Sequence, residues 1–151
     1  MKTFARSYAL RLAFAIAIIG AFFAPAARAA DTTLLPTGAV WKYLDNGSDQ
    51  GTAWRSAGFN DLSWASGPAQ LGYGDGDEST LVSFGPYAAN KYITTYFRRS
   101  FNVADATAYQ SALLRVLRDD GAVVYLNGTE IFRSNMPGGT VGYRTLASAA
   151  I

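Results

Sequence analysis

The chain has 151 residues and contains neither histidine nor cysteine. Histidine is the commonest general base and the commonest metal ligand in proteins. Its absence excludes Ser-His-Asp and Cys-His catalysis and the usual zinc sites within these residues. The absence of cysteine excludes disulfide bonds. Carboxylates, lysine, tyrosine and serine are left for chemistry, and catalysis by paired carboxylates stays open. We expect this chain not to be an enzyme by itself.

Long apolar runs are also scarce, and the longest one lies near the N-terminus. Residues 1–11 are basic, Leu12–Ala24 are apolar except for one glycine, and Ala27-Arg28-Ala29 is a small-x-small cleavage pattern. The apolar run is short for a membrane span. These features predict a signal peptide at residues 1–29, with a retained membrane anchor as the alternative. The expected location is secreted or periplasmic, without membrane contact after cleavage.

The excess of positive charge belongs to this leader. Four of the 13 basic residues lie in it and none of the 11 acidic residues does, so the rest of the chain has a net charge of −2. Nucleic-acid binding usually requires a basic surface. We therefore expect no nucleic-acid partner.

Residues 30–151 predict a single all-β domain. Helical periodicity is nearly absent, and only Ala104–Leu114 could hold a short helix or turn. The predicted strands alternate in the manner of half-buried strands or flank an Asn-Gly turn. They are Val40–Leu44, Gln70–Gly74, Tyr92–Val103, Ala112–Arg118, and a hairpin that turns at Asn127-Gly128.

The strand Tyr92–Val103 predicts one apolar face and one polar face. Ile93, Phe97 and their alternating neighbours form the first, and Arg99 on that face would need a carboxylate partner if buried. Tyr92 and Tyr96 lie on the polar face, which we expect to be exposed.

The hairpin predicts a register without irregularity. Leu126 should face Thr129, Val124 should face Ile131, and the pair before them should be Val123 and Phe132. We expect Val124, Leu126 and Ile131 in the core.

The combined pattern resembles a secreted bacterial β-sandwich module of the galactose-binding-like type. The segments that carry the resemblance are Trp54…Phe59-Asn60-Asp61-Leu62-Ser63-Trp64, Leu71-Gly72-Tyr73-Gly74, Ile93–Phe101, Asp119–Gly128 and Arg133–Pro137. The resemblance implies a jelly-roll sandwich. In similar proteins such modules precede metallophosphoesterases that resemble purple acid phosphatases, lamin-tail domains or spore-coat-kinase-like domains. Tyr96–Phe101 and Val124–Gly128 are also similar to the sandwich that opens family 2 glycosidases.

The number of predicted strands is lower than this resemblance requires. About six are found, whereas such sandwiches usually have about eight. We therefore expect the module at residues 30–151 to be incomplete, with its closing strands and any hydrolase domain beyond Ile151.

Two acidic segments are candidate sites. Asp75, Asp77 and Glu78 lie within four residues of a turn-rich loop and could hold Ca²⁺, which prefers oxygen ligands. A solvated turn is the alternative. Asp119-Asp120 could form a second carboxylate pair, or a tight turn in which Gly121 supplies a positive φ.

Aromatic residues are the candidate ligand-binding groups. Tyr92, Tyr96, Trp54 and Trp64 could form a platform on which sugar rings stack, although large aromatic residues often fill cores instead. The expected function is a non-catalytic accessory module that binds glycan or a cell-surface polymer, or that packs on a downstream hydrolase domain. The alternatives are the N-terminal part of a secreted metallophosphoesterase or glycosidase, and a structural spacer.

Overall fold

The computed structural model describes residues 31–150, and the predicted signal peptide lies outside them. These residues are strand-dominated and contain no α-helix, which confirms the all-β class. Two short 3₁₀ turns occur at Ala53–Arg55 and Ala106–Ala108, the second inside the segment predicted to hold a helix or turn. The strands are β1 Val40–Leu44, β2 Ala65–Pro68, β3 Leu71–Gly72, β4 Thr80–Leu81, β5 Tyr96–Arg98, β6 Ala122–Leu126 and β7 Thr129–Ser134.

The largest sheet has three antiparallel strands in the order β2-β1-β5. The central strand β1 has the predicted bounds, Val40–Leu44. It pairs Trp41 with Gly67 on one side and Tyr43 with Phe97 on the other. A central strand buries part of both faces, which fits the β-branched and aromatic residues of β1.

A small parallel sheet, β3-β4, packs close to β2 through a glycine. A Cβ atom on Gly67 would lie 2.3 Å from Oγ1 of Thr80. The same hydroxyl donates a hydrogen bond of 2.7 Å to the carbonyl of Pro68. Only glycine at position 67 allows the Thr80 side chain to lie this close to the β2 backbone.

The third sheet is the predicted hairpin, β6-β7, and its turn is confirmed. Asn127 and Gly128 both have positive φ, 49° and 87°, as a two-residue type I′ turn requires. Leu126 pairs with Thr129 as expected.

The rest of the predicted hairpin register is wrong because the ladder contains a bulge. The register shifts between Val124 and Tyr125, so that Val124 pairs with Phe132 instead of Ile131. Val123 accordingly pairs with Arg133. Ile131 is the extra residue at the bulge and is 51% exposed, so its predicted core position is wrong.

Leu126 also lies outside the core, at 43% exposure, while Val124 is half-buried. Leu126 comes immediately before the turn, where one side of the hairpin faces solvent. The hairpin end therefore contributes less to the interior than its apolar sequence predicts.

The strand predicted over Tyr92–Val103 is formed only at Tyr96–Arg98, and its inward face is opposite to the prediction. Tyr96 is 6% exposed, whereas Ile93 and Phe97 are 47% and 36% exposed. The expectation that Tyr96 is exposed is therefore wrong. Arg99 is exposed, and its guanidinium donates to the carbonyl of Val40, so no buried carboxylate is needed.

The polar contacts of Arg98 explain how the face of β5 that carries Tyr96 and Arg98 can point toward the interior. The Nε atom of Arg98 donates to a carboxylate oxygen of Asp61 at 2.9 Å, and Nη1 donates to the carbonyls of Trp54 and Ser56. The guanidinium also lies 5.1 Å from the ring centroid of Phe59. A half-buried charge is stable when it is paired and hydrogen-bonded in this way.

The segment predicted as a strand at Ala112–Arg118 has no strand partner among the described residues. Leu113 and Leu117 are 81% and 78% exposed. The prediction of a paired strand here is wrong for this structure. Its apolar residues give the described domain an exposed apolar stretch.

The core is an aromatic cluster that joins the large sheet to the hairpin. Trp54 lies 5.0 Å from Tyr96 of β5 and 5.7 Å from Tyr125 of β6, in edge-to-face geometry. Trp64 extends the cluster: it lies edge-to-face with Phe59 at 5.7 Å, and its ring is tilted relative to that of Tyr96 at 6.1 Å. Edge-to-face pairs at these distances are favourable in addition to the apolar area that they bury.

Candidate ligand-binding groove

The aromatic residues proposed as a sugar platform divide into two groups. Trp64 and Tyr96 are 5% and 6% exposed, and Trp54 is half-buried between Tyr96 and Tyr125. The prediction that the rings of Trp64 and Tyr96 are accessible to a ligand is therefore wrong, because both rings are packed in the core. Tyr92 lies outside this cluster and lines a groove.

Burial also changes the acidity of the core tyrosine. Desolvation raises the pKa of the Tyr96 phenol above its ordinary value. Its oxygen accepts a hydrogen bond of 3.4 Å from the backbone N–H of Gln50. The Tyr96 hydroxyl is therefore neutral at physiological pH and serves packing.

The groove has a volume of about 330 Å³ and is formed by three segments distant in sequence. The loop after β1 contributes Gly47, the loop between β4 and β5 contributes Tyr87 and Tyr92, and the chain after β7 contributes Tyr143 and Arg144. This volume lies at the lower end of the range for ligand pockets. Tyr87 is 68% exposed and so offers a ring to a ligand without rearrangement.

Two glycines determine the position of Tyr92. A Cβ atom on Gly47 would lie 2.4 Å from Cδ1 of the Tyr92 ring, and one on Gly85 would lie 3.1 Å from it at Cε1. Gly47 and Gly85 both have positive φ, 72° and 98°. The backbone N–H of Tyr92 donates to the carbonyl of Phe84 at 2.9 Å. The ring is thus confined between two backbone segments and forms a fixed wall of the groove.

The opposite wall comes from the segment after the hairpin. The Thr94 hydroxyl donates a hydrogen bond of 2.7 Å to the carbonyl of Tyr143. This bond joins residues 49 positions apart in sequence. It places Tyr143, which is half-buried, across from the loop that carries Tyr92.

The groove carries positive charge. Lys91 and Arg144 line it, and both are exposed. The Arg144 guanidinium lies 5.3 Å from the ring centroid of Tyr143, and the Lys91 ammonium lies 4.7 Å from that of Tyr73. Cation–π contacts of this kind hold a charged side chain near an aromatic surface. Asn90 adds a neutral amide to the rim.

The sequence does not predict Tyr143, Arg144 and Lys91 as site residues. Tyr143 lies in a Gly-rich segment with no strand pattern, and no local signal places it beside a loop some fifty residues earlier. Tyr143 is followed directly by Arg144. This pair of an aromatic residue and a cation is the only local signal that could suggest a ligand surface.

The acidic loop brings its three carboxylates together. One oxygen each of Asp75, Asp77 and Glu78 lie within 4.8 Å of one another. The two oxygens of Glu78 accept hydrogen bonds from the backbone N–H groups of Asp75 and Gly76, at 3.0 and 2.9 Å. Asp77 accepts from the Gln70 amide at 3.2 Å. The hydrogen bond from Asp75 above all lowers the pKa of the Glu78 carboxyl.

These hydrogen bonds explain why the loop forms a turn, since the Glu78 side chain stabilises it. Ca²⁺ takes about six to eight oxygen ligands, and this loop supplies three carboxylates, of which Glu78 already has a backbone partner for each oxygen. The donor set fits a Ca²⁺ site only incompletely. The predicted Ca²⁺ site stays a prediction.

Asp119-Asp120 forms a tight turn, but not in the predicted way. Asp120, rather than the following glycine, has the positive φ, 41°. Its backbone N–H donates to a carboxylate oxygen of Asp119 at 2.7 Å. Gly121 is required by a close contact instead, because a Cβ there would lie 2.5 Å from Sδ of Met136.

Comparison of the chain with protein families, curated proteins and solved structures found no match. The resemblance to galactose-binding-like modules therefore remains a prediction from the sequence. Among residues 31–150, no helix has the length and apolar character needed to cross a membrane.

Proposed function

We propose that this domain is a non-catalytic accessory module of an exported protein, and that it binds polysaccharide in the groove lined by Tyr87, Tyr92 and Tyr143. The observation that carries the proposal is the convergence of three tyrosines in one groove, two from the loop between β4 and β5 and one from the chain after β7. Tyr87 is exposed and Tyr92 and Tyr143 are half-buried, so these rings leave more surface to a ligand than the buried Trp64 and Tyr96 do.

The chemistry of the groove suits a sugar chain. Apolar faces of sugar rings pack on aromatic rings, and polar side chains at the rim then fix the orientation. Tyr87 offers the most exposed ring, Tyr92 is held rigidly, and Asn90 supplies amide hydrogen-bonding groups at the rim. A wall that is already fixed reduces the entropy lost on binding.

We also propose that the three small sheets belong to a β-sandwich of the galactose-binding-like type. Trp54 contacts a ring of β5 in the large sheet and a ring of β6 in the hairpin. An aromatic layer shared by two sheets is the arrangement that a sandwich core requires. Hydrolytic activity, if the parent protein has it, then belongs to another domain.

Affinity electrophoresis of the purified protein in gels that contain soluble polysaccharides tests the binding proposal. We expect retardation by at least one polymer, and at least about tenfold weaker binding, near 1.4 kcal/mol, for Tyr87→Ala. Tyr109→Ala is the matched control, because Tyr109 is a 40% exposed tyrosine that does not line the groove. Equal losses in both variants, or no retardation by any polymer, would refute the proposal.

A further inference from the structure

The positive charge of the groove indicates the charge that its ligand should carry. Lys91 and Arg144 are both lining residues, and no carboxylate of the described chain lines this groove. The chain after residue 29 has a net charge of −2. The groove, with two cations and no acid, therefore differs in the sign of its charge from the chain after residue 29 as a whole.

Neither cation is neutralised by a neighbouring acid. The ion pairs within residues 31–150 are Arg98–Asp61 and Arg133–Glu130. The Arg144 guanidinium instead lies beside Tyr143, which lines the groove, and the Lys91 ammonium lies beside Tyr73, which does not line it. Such contacts orient the side chains without cancelling their charge. Both charges therefore remain able to pair with a ligand.

We propose that the groove binds an anionic polysaccharide, a polymer whose sugar rings carry carboxylate or sulfate groups. This inference rests on the proposed function and specifies its ligand class. Sugar rings stack on the tyrosines of the groove, while the acidic substituents pair with Lys91 and Arg144. The guanidinium of Arg144 matches a carboxylate or sulfate with two parallel hydrogen bonds, which a neutral hydroxyl cannot offer.

A nucleic acid also combines rings with negative charge, but it fits these observations less well. Binding of single strands depends on a basic groove that follows many phosphates. This groove has two cations, in a domain that is acidic as a whole.

The test compares polymers that share a backbone and differ in charge. Binding to polygalacturonate is measured against its fully methyl-esterified form, and binding to dextran sulfate against dextran, with single-stranded DNA as a further probe. We expect at least about tenfold tighter binding to the charged member of at least one pair. That binding should weaken at high salt, because exposed charges are screened.

Charge-removing variants assign the effect to the groove. The double variant Lys91→Gln/Arg144→Gln should bind the charged polymer at least about threefold more weakly than the unchanged protein. Arg115→Gln should bind it as the unchanged protein does, because Arg115 is an exposed arginine that does not line the groove. Circular dichroism and urea unfolding verify that each variant is folded.

The outcomes separate this inference from the proposed function. Equal binding of the charged and neutral members, with loss in Tyr87→Ala, would overturn the anionic ligand and leave polysaccharide binding intact. Equal losses in the double variant and in Arg115→Gln, or tighter binding of DNA than of every polymer, would also overturn it. If no polysaccharide binds at all, the proposed function fails and this inference fails with it.

Discussion

Replacement of Gly47 by alanine tests the packing that forms the groove wall. Two costs add at this position. The φ of 72° costs a residue with a Cβ about 1–2 kcal/mol. The new Cβ would also lie 2.4 Å from the Tyr92 ring, and overpacking of this kind costs about 1–3 kcal/mol. We expect Gly47→Ala to lower the free energy of unfolding by about 2–5 kcal/mol, a large part of the stability of a small domain.

Two other glycines separate these costs. Gly51 has a φ of 55°, and a Cβ atom there would meet nothing within 4 Å, so Gly51→Ala should show only the backbone cost, about 1–2 kcal/mol. Gly58 has neither a positive φ nor a close neighbour. Gly58→Ala should be neutral or stabilise the protein by about 0.4–1 kcal/mol, because the unfolded chain loses entropy.

Urea unfolding followed by tryptophan fluorescence measures all three variants. A double-mutant cycle with Tyr92→Ala then isolates the steric part. In that background Gly47→Ala should cost no more than Gly51→Ala, which gives a coupling energy of about 1–3 kcal/mol between Gly47 and Tyr92. If Gly47→Ala is no worse than Gly51→Ala in the unchanged protein, or if the coupling is zero, Tyr92 does not pack on Gly47 and the fixed groove wall is refuted.

Three further predictions concern Arg98 and the acidic loop. Asp61→Asn should destabilise the protein by about 2–3 kcal/mol in urea unfolding, since it leaves the half-buried Arg98 without its carboxylate; a change below about 0.5 kcal/mol would contradict the role of this pair. Because the folded-state pKa of Glu78 is lowered, the stability that it contributes is present above its unfolded pKa and is lost as the pH falls through the folded value. In NMR titrations toward acidic pH the amide signal of Asp75 should therefore shift as Glu78 is protonated, and Glu78→Gln should reduce this shift; an unchanged shift would refute the assignment. Removal of divalent cations with EDTA should leave the same amide signal in place, whereas a Ca²⁺-dependent rise in melting temperature that Asp77→Asn abolishes would establish the metal site instead.

The parts of the fold that the sequence predicts are those set by local signals. The pattern predicts Val40–Leu44 with its observed bounds, because an apolar and aromatic run ends at Asp45-Asn46-Gly47. The hairpin turn at Asn127-Gly128 is predictable because few residues other than asparagine and glycine accept its dihedral angles. Both features depend on residues within a few positions of each other.

The parts for which the prediction is wrong depend on contacts between distant residues. The alternation around Tyr96 is visible in the sequence, but it indicates the wrong inward face, since Tyr96 and Arg98 look polar in sequence. The Trp54 ring covers Tyr96, and the Asp61 carboxylate and two backbone carbonyls satisfy Arg98. A shift of one residue in a strand exchanges its faces, so tertiary partners decide the result.

The two groups of aromatic residues show why composition alone could not locate the binding surface. Trp64 and Tyr96 belong to the same residue types as the groove tyrosines, yet their rings lie against one another and are closed to a ligand. Tyr92 faces two glycine backbones instead of other rings, which fixes it while leaving part of it accessible. A glycine cannot cover a ring as a tryptophan does, so the neighbours that make Tyr92 rigid do not bury it. Rigidity without burial is what a stacking surface requires, and it depends on residues that no local pattern brings together.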